Sequence, residues 1–238
     1  YFSSKKLFYL HQHGFRKLHS TETASLDLID KVLQDLNNNN ISISFFLDLS
    51  KAFDTLNHEI LTQKLSHYGV KNTELLWFTN YLENRSQYVL FNNSQSSISR
   101  FNIGVPQGSI LGPLLFIIYM NDICSASNLF RSILYADDTT LYSPMCNFSC
   151  NINPITDLST LINHELQKIS DWLCVNKLSL NLKKTKYMIF HFRQRRIDKN
   201  LSIRMNNVPI ERVHEFNFLG LIMSEKLSWK PHITSIKT

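Results

Sequence analysis

Three features of the chain predict an α+β fold in which an antiparallel sheet is backed by helices. Ile43, Phe45, Leu47 and Leu49 alternate with Ser42, Ser44, Phe46 and Asp48, the period of a half-buried strand. Ser132 to Ala136 and Thr139 to Tyr142 read as two short strands that reverse at Asp137-Asp138. Around these strands, apolar residues recur at helical spacing in several longer stretches. With 238 residues, 43% hydrophobic and 18% charged, the chain can bury a sizeable core, which excludes a disordered chain.

In chain order, a basic entry leads to Gln12-His13-Gly14-Phe15-Arg16-Lys17. Ser20-Thr21-Glu22 then caps a helix whose apolar face is Leu26, Ile29, Val32, Leu33 and Leu36, and Asn37 to Asn40 ends it. The strand that follows points Asp48 away from its apolar face, toward an opening. Helices are expected over His58 to Tyr68 and Thr73 to Leu82, with Gly69 as a helix end between them. Arg85 to Phe91 and Ser97 to Ile103 read as a hairpin turning at Asn92-Asn93-Ser94. In the loop from Gly104 to Pro113, three of the chain's six glycines fall within nine residues, which lets another chain or a ligand come close. Leu114 to Met120 is apolar all round, a buried helix whose first turn accepts Pro113. Beyond the Asp-Asp hairpin, Leu158, Leu161, Ile162, Leu166, Ile169, Trp172 and Leu173 define a long amphipathic helix. A strand from Tyr187 to Phe192, short strands near Leu201 and Val208, and the segment Phe216 to Ile222 complete the pattern, with no internal repeat.

The net charge of +6 favours an acidic partner, of which nucleic acid is the usual soluble example. Seven Lys and Arg, against the single acid Asp198, fall between Lys183 and Lys199. Cys124, Cys146, Cys150 and Cys174 are too few and scattered for a disulfide framework, and no second Cys or His pair follows Cys146 and Cys150 at a finger-like distance. Free thiols in a reduced, intracellular protein are expected. No apolar run reaches membrane length. Tyr1-Phe2-Ser3-Ser4-Lys5 carries neither an initiator Met nor a signal-peptide pattern, as expected of a piece of a longer protein.

Adjacent carboxylates at a hairpin tip are commonly no more than an exposed turn. Here Asp48, at the end of another strand, meets Asp137 and Asp138 if the two strands are neighbours in one sheet, and like charges gather stably only around a cation. Carboxylate oxygens without His or Cys suit Mg²⁺. Two such ions about 3.5 to 4 Å apart stabilise both the attacking and the leaving oxygen of an in-line phosphoryl transfer. A nuclease has the same requirement, so the acids alone leave the reaction open.

Six blocks in one order narrow it. They are Gln12-x-Gly14-Phe15-Arg16, Phe46-Leu47-Asp48-Leu49-Ser50-Lys51-Ala52-Phe53-Asp54, Gly104-Val105-Pro106-Gln107-Gly108-Ser109, Tyr135-Ala136-Asp137-Asp138, Leu180-Asn181-x-x-Lys184-Thr185 and Phe218-Leu219-Gly220. Together they resemble the reverse transcriptase of non-long-terminal-repeat (LINE-type) retrotransposons, most of all the jockey-like elements of animals. The resemblance implies a right-hand polymerase, with residues 1–41 as partial fingers, 42–223 as the palm, and 224–238 as the start of a connection toward a thumb that is absent. It implies RNA-directed DNA synthesis, with an RNA template, a DNA primer and dNTP as partners. Two Mg²⁺ ions, with Mn²⁺ as a possible substitute, would be the cofactors; no membrane association is implied, and nucleus and cytoplasm are the expected compartments.

The same resemblance assigns roles. Asp48 and Asp137 would be the ligands shared by the metals, with Asp138 a less direct carboxylate and Asp54 a structural one. Phe53 matches the bulky aromatic that clashes with a ribonucleotide 2′-hydroxyl. Gln107 would approach the incoming nucleotide and template, Gly108 would allow the close backbone contact, and Arg16 would meet the triphosphate. Lys184 is similar to the lysine that protonates the leaving pyrophosphate, although Lys183 and Lys186 stand near enough to compete for that role. Phe218, Leu219 and Gly220 resemble the primer grip. The basic tract, including Arg193, Arg195 and Arg196, would track duplex phosphates. The family's Arg-Pro-Ile-Ser-like fingers block and its N-terminal endonuclease have no counterpart here, so activity of this stretch by itself is not expected. A non-catalytic nucleic-acid-binding remnant and an RNA-dependent RNA polymerase are the rival readings, and Phe53 argues against the second.

Overall fold

The computed structural model describes residues 1–144, 154–191 and 201–237, with side chains omitted for 154–157. Cys146, Cys150, Phe192, Arg193, Arg195, Arg196 and Lys199 therefore lie outside the described residues. Helix α1 (Thr21–Asn37) starts where Ser20 forms a reciprocal box with Thr23, each side chain bonding the other's backbone N–H. It stops at the Asn run, where Asn39 adopts a left-handed φ of 57°. After α1 come β1 (Ser42–Leu47), α2 (His58–His67), α3 (Asn72–Leu82) and α4 (Leu111–Met120). The hairpin β2 (Arg131–Tyr135) and β3 (Asp138–Pro144) precedes α5 (Pro154–Val175). The chain continues through β4 (Lys186–Phe190), β5 (Glu211–Arg212), β6 (Glu215–Phe218), β7 (Leu221–Ser224) and α6 (Lys230–Ile236).

Five strands form one sheet in the order β5-β4-β1-β3-β2, antiparallel except for the β5-β4 pair. One face carries Ile43, Phe45, Leu47, Leu134, Leu141 and Ile189 against α2, α4 and α5. The other carries Phe46, Ile133, Tyr142, Met188 and Phe190 against α1 and the β6-β7 hairpin. Each such side chain taken fully from water stabilises the fold by about 1.5–3 kcal/mol, so β1, buried along its whole length, is the strand the fold can least spare.

That burial corrects the reading of β1 as half-buried. Phe46 is 4% exposed and stacks on Phe216 with ring centroids 4.1 Å apart, because α1 and the β6-β7 hairpin cover the face that alternation left open. Three smaller corrections are local. In the 85–103 hairpin, the paired strands are only Ser86–Gln87 with Ser99–Arg100 and Leu90–Phe91 with Ser94–Gln95, supplemented by Ser96 N–H to Val89 O and Phe101 N–H to Arg85 O. Its turn is Asn92-Asn93 alone, both at positive φ, the geometry that matches strand twist. Helix α4 begins at Leu111 and not at Leu114. Near Leu201 the paired residues are Arg204–Met205 with Val208–Pro209.

Candidate active site

Register brings the acids together. The last paired residues of β1 and β3 are Leu47 and Thr139, so one further step along both antiparallel strands sets Asp48 opposite Asp138, on the face that carries Phe46 and Thr140. Asp137 occupies the two-residue turn between Tyr135 and Asp138, whose reversal is made by Ala136 at a φ of 56°. Asp48 and Asp138 line a cavity of about 110 Å³ together with Lys184, Phe46 and residues Phe216 to Leu219. Asp137 is exposed at the tip and does not line it.

Asp138 is solvent-exposed as a residue, yet its carboxyl pKa is raised, first by desolvation and then by the like charges of Asp137 and Asp48. The three acids therefore share one electrostatic site. Hard oxygen donors in that condition fit a divalent cation. Their oxygens do not all close to within 4.8 Å; among the described residues, only His11, His13 and Asp27 do so.

The block around Lys184 is pinned to Asp48 by backbone. Asn181 N–H donates to Asp48 O at 2.8 Å, Asp48 N–H reaches Thr185 Oγ1 at 3.4 Å, and Leu49 bridges to Leu180. Lys184 N–H and Thr185 N–H both return to Asn181 O, at 3.1 and 2.9 Å. Asn181 and the buried Thr185 are thus the residues that present Lys184 to the cavity. Lys186 is turned elsewhere, donating to Lys183 O at 2.8 Å and to Glu211 Oε2 at 2.5 Å.

Gln12-x-Gly14 braces the Asp-Asp turn from behind. His13 N–H donates to Leu134 O at 2.7 Å and Leu134 N–H to His11 O at 2.9 Å, a parallel bridge along β2. A Cβ on Gly14 would lie 2.2 Å from Ala136 N, so only glycine permits this approach. Arg16 does not line the cavity. Its guanidinium donates to Tyr9 O and Gln12 O, at 2.9 and 3.0 Å, and lies over the Phe8 ring; desolvation lowers its pKa.

Phe53 is half-buried in a single 3₁₀ turn, stacked on Phe116 of α4 at 4.3 Å and edge-on to Phe15 at 6.3 Å. Gln107 stands apart from the acids, in a second cavity of about 780 Å³, where its Nε2 donates to Asp54 Oδ1 at 2.8 Å. Asp54 is thus a structural partner of the glycine-rich loop. Gly104, at a φ of 82°, lies so close to that segment that a Cβ would meet Asp54 O at 2.6 Å. Gly108 has a positive φ and open space around it. Leu219 and Gly220, both at positive φ, form the turn that leaves Phe218 buried against the cavity.

Sequence reading passed over a second cluster, His11, His13, Asp27 and Lys31. Its signal was a His-x-His pair on extended chain and an Asp and Lys four apart on the next helix.

The chain matches the family described as "Reverse transcriptase (RNA-dependent DNA polymerase)" over residues 3–223. It is 27% identical to a probable RNA-directed DNA polymerase from transposon X-element of Drosophila melanogaster, covering 96% of this chain and 24% of that protein. It is 29% identical to the corresponding protein of transposon BS from the same species, over 94% of this chain and 24% of that one. The RNA-directed DNA polymerase from mobile element jockey of Drosophila funebris is 26% identical over 95% and 24%. The chain therefore spans about a quarter of the length of these relatives. In architecture it is similar to apo telomerase from Candida tropicalis, with a TM-score of 0.62 at 13% identity over 95% of this chain and 38% of that one. With its family shown over residues 3–223 and the three relatives above named for transposons or a mobile element, the chain belongs to the reverse transcriptases, as a domain of the non-LTR retrotransposon type.

Proposed function

We propose that this domain carries out nucleotidyl transfer from dNTP to a primer 3′-hydroxyl on an RNA template. The reading rests on one observation: a single cavity gathers Asp48, Asp138, Lys184 and the Phe218-Leu219 turn, members of four of the six sequence blocks. In this reading residues 42–223 are the palm, residues 1–41 belong to the fingers, and residues 224–238 lead toward a thumb. Asp48 and Asp137, with Asp138 beside them, would hold two Mg²⁺ ions, which would supply charge stabilisation to the phosphoryl transfer. Lys184, held at the cavity by Asn181 and Thr185, donates a proton to the leaving pyrophosphate. Phe53, fixed by Phe116, excludes a ribose 2′-hydroxyl. Phe218 to Gly220 support the primer end, and Gln107 and Gly108 meet the nucleotide and template across the glycine-rich loop. Arg16, committed to carbonyls of its own segment, serves by keeping that segment folded.

Primer extension on an RNA template with Mg²⁺ tests this, comparing dNTPs with NTPs in this chain and in a longer form extended at both ends, beside Asp137→Asn. The longer form is expected to extend with dNTPs and to lose that activity in the variant. No extension by the longer form, or an equally active variant, overturns the proposal.

A further inference from the structure

His11, His13, Asp27 and Lys31 have no part in the reaction above. His11 and His13 are two apart on the extended segment that pairs with β2, so both rings face α1. There His11 Nδ1 lies 2.6 Å and His13 Nε2 3.1 Å from the same atom, Asp27 Oδ2. The Lys31 ammonium pairs with Asp27 Oδ1 and stands 3.4 Å from His11 Nδ1. Burial alone would raise the Asp27 carboxyl pKa, but hydrogen bonds from His11, His13 and Lys31 hold it well below the usual carboxylate range.

At Asp27 Oδ2 two ring nitrogens converge on one carboxylate oxygen. Thr23 Oγ1, which donates to Ser20 O at 2.9 Å, stands 3.2 Å from His13 Nδ1. With its ring hydrogen on Nδ1, toward Thr23, a metal-bound His13 would present Nε2 beside Asp27 Oδ2.

We propose that His11, His13 and Asp27 form a three-ligand site for a borderline transition-metal ion, Zn²⁺ above all, which replaces the Lys31 ammonium as the cation of the cluster. The three ligand atoms lie within 4.8 Å of one another, a spread that one ion bonding at about 2.0–2.2 Å draws in with small side-chain shifts. Two imidazoles and one carboxylate favour Zn²⁺ over Mg²⁺, which separates this site chemically from the all-carboxylate one. Thr23 supplies the outer hydrogen bond that fixes the tautomer of a metal-bound His. Side-chain exposures of 27% for His11, 9% for His13 and 17% for Asp27 leave an entry path and room for a water as fourth ligand. A bound ion would tie α1 to the segment whose Gly14 braces the Asp137 turn.

Co²⁺ titration followed by visible absorption, with Mg²⁺ present in excess, tests the site. One equivalent with four-coordinate d–d bands and no thiolate charge-transfer band is expected, displaced by Zn²⁺ and not by further Mg²⁺. His11→Ala and Asp27→Ala, each checked by circular dichroism, should lose that equivalent. Lys31→Met should tighten binding. Thr23→Val should weaken it by roughly 10- to 100-fold, with Thr23→Ser restoring it. No saturable Co²⁺ binding, an equivalent retained in folded His11→Ala, or weaker binding in Lys31→Met overturns the proposal. If His11→Ala does not fold, the Lys31→Met and Thr23→Val titrations decide it.

Discussion

Replacing Gly14 by alanine tests whether the Gln12–Gly14 segment braces the acidic turn. The added Cβ would sit 2.2 Å from Ala136 N and 3.0 Å from both Ala136 Cα and Tyr135 C. All three are backbone atoms, so no side chain can rotate away. Reaching ordinary contact at 3.4 Å moves one segment by more than about 1 Å. The segment is held by His13 N–H to Leu134 O and Leu134 N–H to His11 O, so the displacement falls on the turn itself. Overpacking of this kind costs about 1–3 kcal/mol, which for a chain of this size lowers Tm by roughly 2–12 °C. A displacement of about 1 Å at a catalytic group costs on the order of 100-fold in rate. Thermal unfolding and single-turnover primer extension by the longer form measure the two effects. A Tm within about 1 °C of the parent, together with a rate within about threefold, would show that the segment does not brace the turn.

Asp138→Asn removes a carboxyl whose pKa is raised by desolvation and by Asp137 and Asp48. A raised carboxyl pKa favours the protonated form in the folded state. Stability is therefore lost as pH climbs from the ordinary carboxylate range through the raised value, and the loss persists above it. The variant should gain about 0.5 kcal/mol at neutral pH after screening, roughly 1–2 °C in Tm, and nothing below the carboxylate range; an equal or lower Tm at pH 7 refutes the shared-charge site. In the lysine series, Lys184→Ala should slow extension by roughly 100-fold or more, while Lys183→Ala leaves it within a few-fold; the reverse order refutes the assignment. Phe53→Val should raise ribonucleotide incorporation relative to deoxyribonucleotide, and unchanged discrimination would leave Phe53 as a packing residue on Phe116.

What could be read from sequence was local and periodic. The Ser20 cap and the spacing from Leu26 to Leu36 place α1, and alternation places β1, β2 and β3. The pairing that brings Asp48 opposite Asp138 is not local: β1 lies beside β3 and not beside β2, the next strand of the sheet in the chain. The errors came where a distant segment decides. Alternation assigned the second face of β1 to an opening, whereas Phe216 and Phe218 arrive from a hairpin some 170 residues later. The glycine of Gln12-x-Gly14 gives no sign in sequence that its constraint is the backbone of Ala136. Lys183, Lys184 and Lys186 are equivalent by spacing and differ only once Glu211 engages Lys186. The His11–His13–Asp27 cluster was missed because its members lie on two elements with different periods, and neither half is informative alone.

The central claim is that acids from two separate strands form one catalytic centre, and a double-mutant cycle tests it most directly. Single-turnover rates of dNTP addition on an RNA template would be measured for the longer form carrying Asp48→Asn, Asp137→Asn and both. Residues acting as one unit are strongly non-additive, so each single variant should lose nearly all activity and the double should lose little more. Two partial losses that multiply in the double variant, or a single variant that keeps most of the parental rate, would contradict a shared centre.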